Sequence, residues 1–204
     1  GTEILSGLLV ANEKRFSDPS KSMTNATAIK RNLIFLGRYV DYKRPLMLVQ
    51  AFLQLKQNDR LNGWSLSFYG DGPLRQELIA RTEEHSEIVI NGFRSPKNLK
   101  QVFEEAGAFC LPSKNEHWGV VVHEATMCGL PVILSDTCGA ASKLLIHGYN
   151  GFGFKTDSHS DLTMALDQIF HLPAEELRRM SRNSRKMSGS LTQERWAAAL
   201  MSVL

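Results

Sequence analysis

The sequence predicts an α/β domain with a doubly wound parallel sheet, and two observations lead to this prediction. Apolar runs of five or six residues alternate along the chain with amphipathic stretches of about ten residues, which are typical lengths for strands and helices. Proline stands near the start of several amphipathic stretches, where it favours helix initiation. Parallel neighbours require crossover connections, so this alternation indicates a sheet covered by helices on both faces.

The predicted elements follow one another in a regular order. Strands are predicted over the runs NLIFLG, WSLSFYG, EIVING, AFCLPS and PVILSD. Helices are predicted over PLMLVQAFLQL, PLRQELIARTEE and SPKNLKQVFEEA, with Pro45, Pro73 and Pro96 marking their starts. A further helix is predicted to begin near Gly119, between the last two strands.

Additional helices are predicted at the C-terminal end. From about Asp157 the pattern becomes helical, with one helix over SDLTMALDQIF, one after Pro173 and one over LTQERWAAALMSVL. The segment RRMSRNSRK carries five basic residues and no acidic residue. We interpret it as a solvated helix face, and contact with anionic lipid or substrate is the alternative.

Composition describes an ordinary globular protein. The chain has 43% hydrophobic and 22% charged residues, a net charge of +3 and a pI of about 8.8. This mild basic excess suits an anionic ligand but is too small to indicate nucleic-acid binding. Cys110, Cys128 and Cys138 are odd in number and lack C-x-x-C spacing, so we expect reduced packing thiols in a reducing compartment.

The polar N-terminal segment indicates a domain boundary near residue 32. Residues 11–32 are polar and lack helical periodicity, so residues 1–32 are predicted to form a hinge or linker and residues 33–204 the domain. The run ILSGLLV is too short to span a bilayer and lacks the flanks of a signal peptide, so we expect a cytoplasmic location. Gly1 has no initiator Met before it, which suggests a fragment whose missing part could hold a membrane anchor.

Two loops that follow predicted strands carry candidate ligand-binding residues, because ligands of open parallel sheets bind at the carboxyl ends of the strands. In GRYVDYKRP, Arg38 and Lys43 could converge on phosphate oxygens, although both could equally be solvated. In NGFRS, Phe93 and Arg94 could flank a flat ring, or Phe93 could cover the edge of the core. The segment GDGP is interpreted as a structural turn only, since it lacks a complete phosphate-binding motif.

The stretch KNEHWGVVVHEATM carries the most informative pattern. Glu116 is expected in the crevice loop, and the backbone amides of Trp118, Gly119 and Val120 are expected to lack partners at a helix N-terminus, which favours an anion. Glu124 would lie one turn further into the helix, able to accept hydrogen bonds from neutral hydroxyls beside the anion. A nucleotide sugar, with hydroxyls on both sides of a diphosphate, fits this arrangement.

The motifs together resemble a known family. The set GR…K, GDGPL, NGF, LPS…E-x-W-G, GLPV and G-x-N-G, with the E-x7-E spacing from Glu116 to Glu124, resembles the donor-binding C-terminal half of retaining glycosyltransferases. These are the group 1, family 4 enzymes with two Rossmann-like domains, known as the GT-B fold. The resemblance covers nearly all of residues 33–204.

The resemblance implies roles for the candidate residues. Arg38 and Lys43 would hold the donor diphosphate and stabilise the leaving group, and Glu116 would bind the transferred sugar. The remaining contacts would come from Glu124 to the ribose, from Phe93 and Arg94 to the base, and from Trp118, Gly119 and Val120 to sugar and phosphate.

The resemblance also implies partners. It implies a UDP- or GDP-sugar donor, no metal and no other cofactor, and an acceptor that is a glycan or a lipid-linked molecule bound by a missing N-terminal domain. The fragment alone would then bind donor without turnover. The full-length protein would act in the cytoplasm and could associate peripherally with the inner face of the membrane.

One departure and three alternatives remain at this point. Lys143 stands where the family commonly has an acidic residue, which puts the hydrogen bonding of the loop Gly139–Ala141 and the choice of donor in question. The alternatives are a nucleotide-sugar epimerase, a sugar phosphorylase of the same architecture, and an inactive domain that binds a nucleotide sugar. Retention of Arg38, Lys43, Glu116 and Glu124 together argues against the inactive domain.

Overall fold

The structure, a computed structural model, describes residues 29–191 of the 204-residue chain. Its strands are β1 (Asn32–Leu36), β2 (Ser65–Tyr69), β3 (Ile88–Asn91), β4 (Ala108–Leu111), β5 (Val132–Ser135) and β6 (Gly151–Phe154). They form one parallel sheet in the order β3-β2-β1-β4-β5-β6. This order confirms the predicted doubly wound α/β fold.

Helices alternate with the strands along the chain. They are α1 (Pro45–Gln57), α2 (Arg75–Thr82), α3 (Leu99–Glu104), α4 (Val120–Met127), α5 (Ala141–Leu144), α6 (His159–His171) and α7 (Ala174–Ser188). Short 3-10 turns, Asp41–Lys43 and Pro96–Asn98, stand before α1 and α3. The helix predicted near Gly119 is confirmed, because α4 begins at Val120 with Gly119 as its N-cap.

The central strands explain why the sequence reads as continuous apolar runs. Leu33, Ile34 and Phe35 of β1 are fully buried, because helices cover both faces of the sheet. Each such side chain contributes roughly 1.5–3 kcal/mol through burial. The Phe35 ring also packs against Phe68 of β2, with ring centroids 5.3 Å apart. This core fixes the edge from which the functional loops leave the sheet.

The turn after β2 packs directly on the loop after β1. The Gly37 amide donates to the carbonyl of Tyr69 at 3.0 Å. Gly70 has a φ of 150°, and a Cβ at this position would lie 1.9 Å from the Gly37 carbonyl oxygen. Only glycine permits this approach, so the GDGP segment has the structural role that the sequence predicted.

Two predicted helix starts are displaced. α2 begins at Arg75, two residues after Pro73, and α3 begins at Leu99, three residues after Pro96. The reason is that the fixed φ of proline suits a turn as well as a first helical turn. The amide of Arg75 donates to the carbonyl of Gly72 at 3.0 Å, which closes such a turn before the helix.

The sequence reading missed strand β6 and helix α5. Strand β6 has the sequence GFGF, in which glycine masks the β-propensity of the phenylalanines. A Cβ on Gly151 would lie 1.9 Å from the carbonyl oxygen of Val132, so close approach to β5 requires glycine there. Glycine is needed for β6 to pack in the sheet, and the same glycine weakens the sequence pattern by which a strand is predicted.

The helical C-terminal region is confirmed for α6 and α7, and in the basic segment RRMSRNSRK the side chains of Arg182 and Lys186 are exposed. Arg179 contacts Glu176 at 2.6 Å, and Arg185 donates to the carbonyl of Cys128 at 3.0 Å. The basic side chains are thus partly engaged by preceding glutamates and by α4, because the helix turns one side of this segment inward.

The predictions for the two ends of the chain fall largely outside the described residues. Residues 1–28 of the predicted linker and the predicted helix LTQERWAAALMSVL after Leu191 are not described. Within residues 29–191, no helix has the length and apolar character needed to cross a bilayer.

Candidate functional site

The candidate site lies where the order of the sheet reverses, between β1 and β4. These strands are adjacent in space, but their connecting helices lead to opposite sides of the sheet, which opens a crevice at the carboxyl edge. The loops that follow them, residues 37–44 and 112–119, meet there. The amide of Lys114 donates to the carbonyl of Tyr42 at 2.6 Å, which joins the two loops through their backbones.

Lys43 and Glu116 form the centre of the site. The Lys43 Nζ donates to Glu116 Oε2 at 2.5 Å, and the two side chains are only 15% and 17% exposed. Lys43 ends the 3-10 turn that precedes α1, and Glu116 lies in the loop before α4. The structure therefore brings together two of the predicted site residues from opposite halves of the sheet. In this crevice they can offer a cation and a hydrogen-bond acceptor side by side.

The N-terminus of α4 adds donors to the site. Gly119 is the N-cap, with a φ of 89°, a conformation that favours glycine. Among the described residues, the amides of Trp118, Gly119 and Val120 have no acceptor. The Cα of Gly119 is close to Glu116, because an added Cβ would lie 3.3 Å from Glu116 Cγ. Partner-free amides at a helix start beside Lys43 form an environment that favours an anion.

The loop after β5 is hydrogen-bonded to the backbone of residues 116–118. The amide of Gly139 donates to the carbonyl of Glu116 at 2.8 Å, and the amide of Ala140 donates to the carbonyl of Trp118, also at 2.8 Å. Lys143 is exposed on α5 and leaves these hydrogen bonds intact. The departure from the family pattern therefore does not disrupt the loop that holds Glu116.

Arg38, Phe93 and Arg94 line a pocket of about 540 Å³ that adjoins Lys43 at Gly37. Its other lining residues are Leu36, Gly37, Tyr69, Gly70, Asp71 and Leu99. Phe93 is 74% exposed, so the alternative in which it covers the core edge is wrong. The Arg94 guanidinium lies 5.9 Å above the centre of the Tyr69 ring, within the range of a cation–π contact. Phe93 and Arg94, the predicted base-binding residues, thus line the same pocket as Arg38, while the Lys43 side chain is hydrogen-bonded to Glu116.

Tyr39 anchors the loop that carries Arg38 and Lys43, a role that the sequence reading missed. Its side chain is fully buried, and its hydroxyl donates to the carbonyl of Asn91 at 2.8 Å. Burial holds the pKa of the phenol well above its usual value. An aromatic residue inside an otherwise polar loop was the available signal, since such a side chain often packs against the domain.

Glu124 lies half-buried on α4, four residues after Val120 and therefore on the same face of the helix. It has an interaction partner in the structure. Its placement on the helix that starts at the site agrees with the sequence reading, and its predicted contact with ribose stays a prediction.

The cysteines and the candidate metal-ligating side chains were also compared with their predicted roles. Cys110, Cys128 and Cys138 are all free and buried, which confirms the predicted packing role. Burial raises the pKa of Cys128 to about 12 and that of Cys138 to about 11, so both remain thiols at neutral pH. Among residues 29–191, no three His, Cys, Asp or Glu side chains come together as a metal ion would need.

The fold and the crevice define a class of protein, namely doubly wound α/β domains with a ligand site at the topological switch point. Comparison with known proteins identifies the family within this class. The family described as glycosyl transferases group 1 matches residues 21–187, which is most of the chain. The chain therefore belongs to the glycosyl transferases group 1 family.

Individual relatives support the same placement. The GalNAc-α-(1→4)-GalNAc-α-(1→3)-diNAcBac-PP-undecaprenol α-1,4-N-acetyl-D-galactosaminyltransferase of Campylobacter jejuni is 28% identical over 164 residues, covering 80% of this chain and 45% of the relative. The C-terminal domain of a group 1 glycosyl transferase from Francisella tularensis has a TM-score of 0.73 at 16% identity, covering 88% of this chain and 97% of that domain.

A structure of the Anabaena protein HepE in complex with UDP and glucose has a TM-score of 0.74 at 18% identity, covering 96% of this chain and 55% of HepE. These structural likenesses establish the fold, which is the C-terminal half of the GT-B architecture. The chain spans less than half the length of the curated relatives it matches.

Proposed function

We propose that this chain is the donor-binding half of a retaining glycosyltransferase. The enzyme would move a hexose-type sugar from a UDP- or GDP-sugar to a glycan or lipid-linked acceptor, with the acceptor bound by another domain. The observation that carries this proposal is the meeting of Lys43, Glu116 and the amide-rich start of α4 at the switch point. A sugar diphosphate needs these three kinds of group within one crevice.

The pairing of Lys43 with Glu116 suits the junction between sugar and phosphate. On donor binding, the Lys43 ammonium would donate to a diphosphate oxygen while the Glu116 carboxylate accepts a sugar hydroxyl. Both side chains are already largely removed from water, so little further desolvation is required when the donor enters. Their mutual hydrogen bond holds each group in position until the donor replaces it.

The same groups would favour the transition state over the bound donor. As the glycosidic bond breaks, positive charge develops at the anomeric carbon and negative charge on the departing diphosphate. Lys43 and the amides of Trp118, Gly119 and Val120 would stabilise that diphosphate, with Arg38 approaching from the neighbouring pocket. Fixed positive groups of this kind could replace a metal ion, and we propose metal-independent binding on this ground.

The pocket formed by Arg38, Phe93 and Arg94 would receive the base. Its volume of about 540 Å³ accommodates a nucleobase, and the exposed ring of Phe93 offers a flat apolar surface for stacking. Glu124, on the same helix as the amide cluster, would accept a hydrogen bond from the ribose. The resemblance further implies retention by a front-face path, in which the leaving diphosphate assists the incoming acceptor.

Relatives give the proposal its substrate class. HepE was crystallised with UDP and glucose, and the Campylobacter enzyme is named for a substrate linked to PP-undecaprenol. By analogy we propose a nucleoside-diphosphate donor and place the reaction in the cytoplasm, where a lipid-linked acceptor would bring the enzyme to the inner face of the membrane.

Calorimetric titration of the chain with nucleotides tests this proposal. UDP, GDP, ADP and dTDP, each with and without an attached hexose, are titrated with magnesium and with EDTA. We expect UDP or GDP to bind weakly without magnesium and to raise the melting temperature. The proposal fails if none of these nucleotides binds, and metal independence fails if EDTA abolishes binding.

A further inference from the structure

Asp157 joins two cations at the carboxyl edge of the sheet. It lies three residues after β6, in a left-handed conformation with φ of 60°. The Arg44 Nη2 donates to its Oδ1 at 2.8 Å, and the Lys114 Nζ lies 3.0 Å from its Oδ2. The two carboxylate oxygens therefore contact different loops, one through Arg44 after β1 and the other through Lys114 after β4. Lys114 and Arg44 also hold the pKa of Asp157 below its usual range.

The two cations are direct chain neighbours of the site. Arg44 follows Lys43 in the loop after β1, and Lys114 stands two residues before Glu116 in the loop after β4. The carboxylate of Asp157 therefore connects, from outside the crevice, the same two loops that Lys43 and Glu116 connect from inside it.

The segment that carries Asp157 is itself fixed to the sheet. The amide and the hydroxyl of Thr156 donate to Asp136 Oδ1 at 2.9 and 2.6 Å. The Thr137 hydroxyl lies 2.7 Å from the Thr156 hydroxyl and 3.1 Å from the carbonyl oxygen of Ser113, and its proton can be donated to either one. Polar contacts therefore run from the β6 loop through the β5 loop to the residue before Lys114. Asp157 is held by a scaffold that does not include Lys43 or Glu116.

We propose that Asp157 is a positioning residue that sets the distance between the Lys43 loop and the Glu116 loop. Its importance for donor binding rests on the proposed function, whereas its effect on loop geometry does not. Loss of the carboxylate charge would leave Lys114 close to the like charge of Arg44, whose remaining acidic contact is Asp41 of its own loop at 3.1 Å. Repulsion between Lys114 and Arg44 would separate the two loops and weaken the alignment of Lys43 with Glu116.

The expected effect is moderate, because the pairs are partly solvated. The side chains of Asp157 and Lys114 are 47% and 51% exposed, and exposed ion pairs are individually weak. Asp157 should therefore change the geometry of the site more than it changes the stability of the domain. This difference separates a positioning role from a general structural one.

Asp157→Asn is the test variant, because asparagine keeps the size and tolerates the left-handed conformation while removing the charge. Asp167→Asn is the matched control, since Asp167 also accepts from an arginine, Arg60, at 2.6 Å, at a distance from the site. The first measurement is the ¹H–¹⁵N spectrum, in which we expect the Trp118 indole and Gly119 amide signals to move in Asp157→Asn and to stay in Asp167→Asn.

The second measurement is the affinity for UDP and GDP by calorimetry. We expect about fivefold weaker nucleotide binding in Asp157→Asn, with little change in the control. Lys114→Met in the Asp157→Asn background should restore part of the lost affinity, because it removes the charge that repels Arg44. Additive losses in the double variant would contradict action through Lys114.

The two proposals fail in different ways. If the unchanged chain binds neither UDP nor GDP, the proposed function is wrong, and the Trp118 and Gly119 signals still decide the role of Asp157. If the unchanged chain binds nucleotide but the signals and affinity match those of the Asp167→Asn control, Asp157 does not position the site.

Discussion

Two regions of the crevice differ in how completely the protein organises them. The pair of Lys43 and Glu116 is largely buried, directly hydrogen-bonded, and enclosed by loops that are joined through their backbones. The pocket of Arg38, Phe93 and Arg94 is open, and Phe93 leaves 74% of its surface in water. One region is arranged before any ligand arrives, and the other presents side chains that a ligand must order.

This difference matches the demands of the proposed chemistry. Groups that stabilise developing charge are effective when they are fixed in advance, because no reorganisation is then needed during the reaction. Recognition of a base tolerates mobile side chains, because stacking requires a flat surface more than an exact angle. We infer that the paired region controls rate and the open pocket contributes mainly affinity.

The largest effect is expected from Lys43→Ala in the enzyme that carries this chain with its acceptor domain. Turnover should fall about a hundredfold or more, which is typical when a preorganised charge is removed from a transition state. Ground-state donor binding should suffer less. The measurement is the rate of nucleoside-diphosphate release at saturating donor.

Lys56→Ala is the matched control for this prediction. The Lys56 Nζ lies 2.7 Å from Glu87 Oε2, in a similar ion pair that does not belong to the crevice. Arg38→Ala should also lower turnover about a hundredfold if the arginine reaches the leaving diphosphate from the open pocket. Wild-type rates in both Lys43→Ala and Arg38→Ala would remove these residues from the proposed chemistry. A loss of turnover in Lys43→Ala alone would indicate that the Lys43–Glu116 region controls rate and that the Arg38 pocket does not.

The next effect separates the two glutamates. Glu116→Gln should weaken discrimination between donor sugars and leave the affinity for free nucleoside diphosphate almost unchanged. Glu124→Gln should weaken both kinds of nucleotide by about 1–3 kcal/mol, the scale of losing a hydrogen bond to a charged group. Calorimetry with UDP, GDP and their hexose derivatives measures both quantities.

Melting temperatures of the unliganded variants provide the control for the glutamates. A structural role of Glu124 would lower the melting temperature and leave nucleotide affinity intact while the domain stays folded. That result would exclude Glu124 as the ribose ligand.

The smallest effect is expected from Phe93→Ala. Loss of a stacking surface should weaken nucleotide binding about tenfold without changing the ratio of sugar-bearing to sugar-free affinity. Stability should stay nearly constant, because an exposed side chain contributes little to folding. Met164→Ala, at a side chain that is 57% exposed on α6, serves as the control. Equal affinities in the two variants would show that Phe93 does not contact the base.

The fold could be predicted from the sequence because most of its apolar runs form strands that helices cover on both faces of the sheet. β1 and α1 illustrate this, since the run NLIFLG and the proline at the helix start are both local signals. β6 could not be predicted, because Gly151 is required by close contact with β5, and that contact is invisible in the local sequence. The position of β6 therefore depends on its contact with the neighbouring strand and not on the β-propensity of its own residues.

The site was predictable in its parts but not in its pairings. Glu116 and the helix start at Val120 follow from strand, loop and helix order. The contact of Lys43 with Glu116 and the contacts of Asp157 with Arg44 and Lys114 join distant loops by side-chain geometry. Such contacts depend on rotamers and loop conformation, which a single sequence does not specify. For the same reason, the grouping of Arg38 with Phe93 and Arg94 in one pocket was not predicted.

The hydrogen bond between Lys43 and Glu116 joins residues that are 73 positions apart in the chain. Contacts of such separation form late, because the loop between them must lose its freedom before the contact contributes. Strands β2, β3 and β4 and the first three helices belong to that intervening segment, so the crevice requires this part of the sheet to be formed. A ligand that recognises this crevice would therefore bind only the folded domain and would stabilise it against partly folded chains.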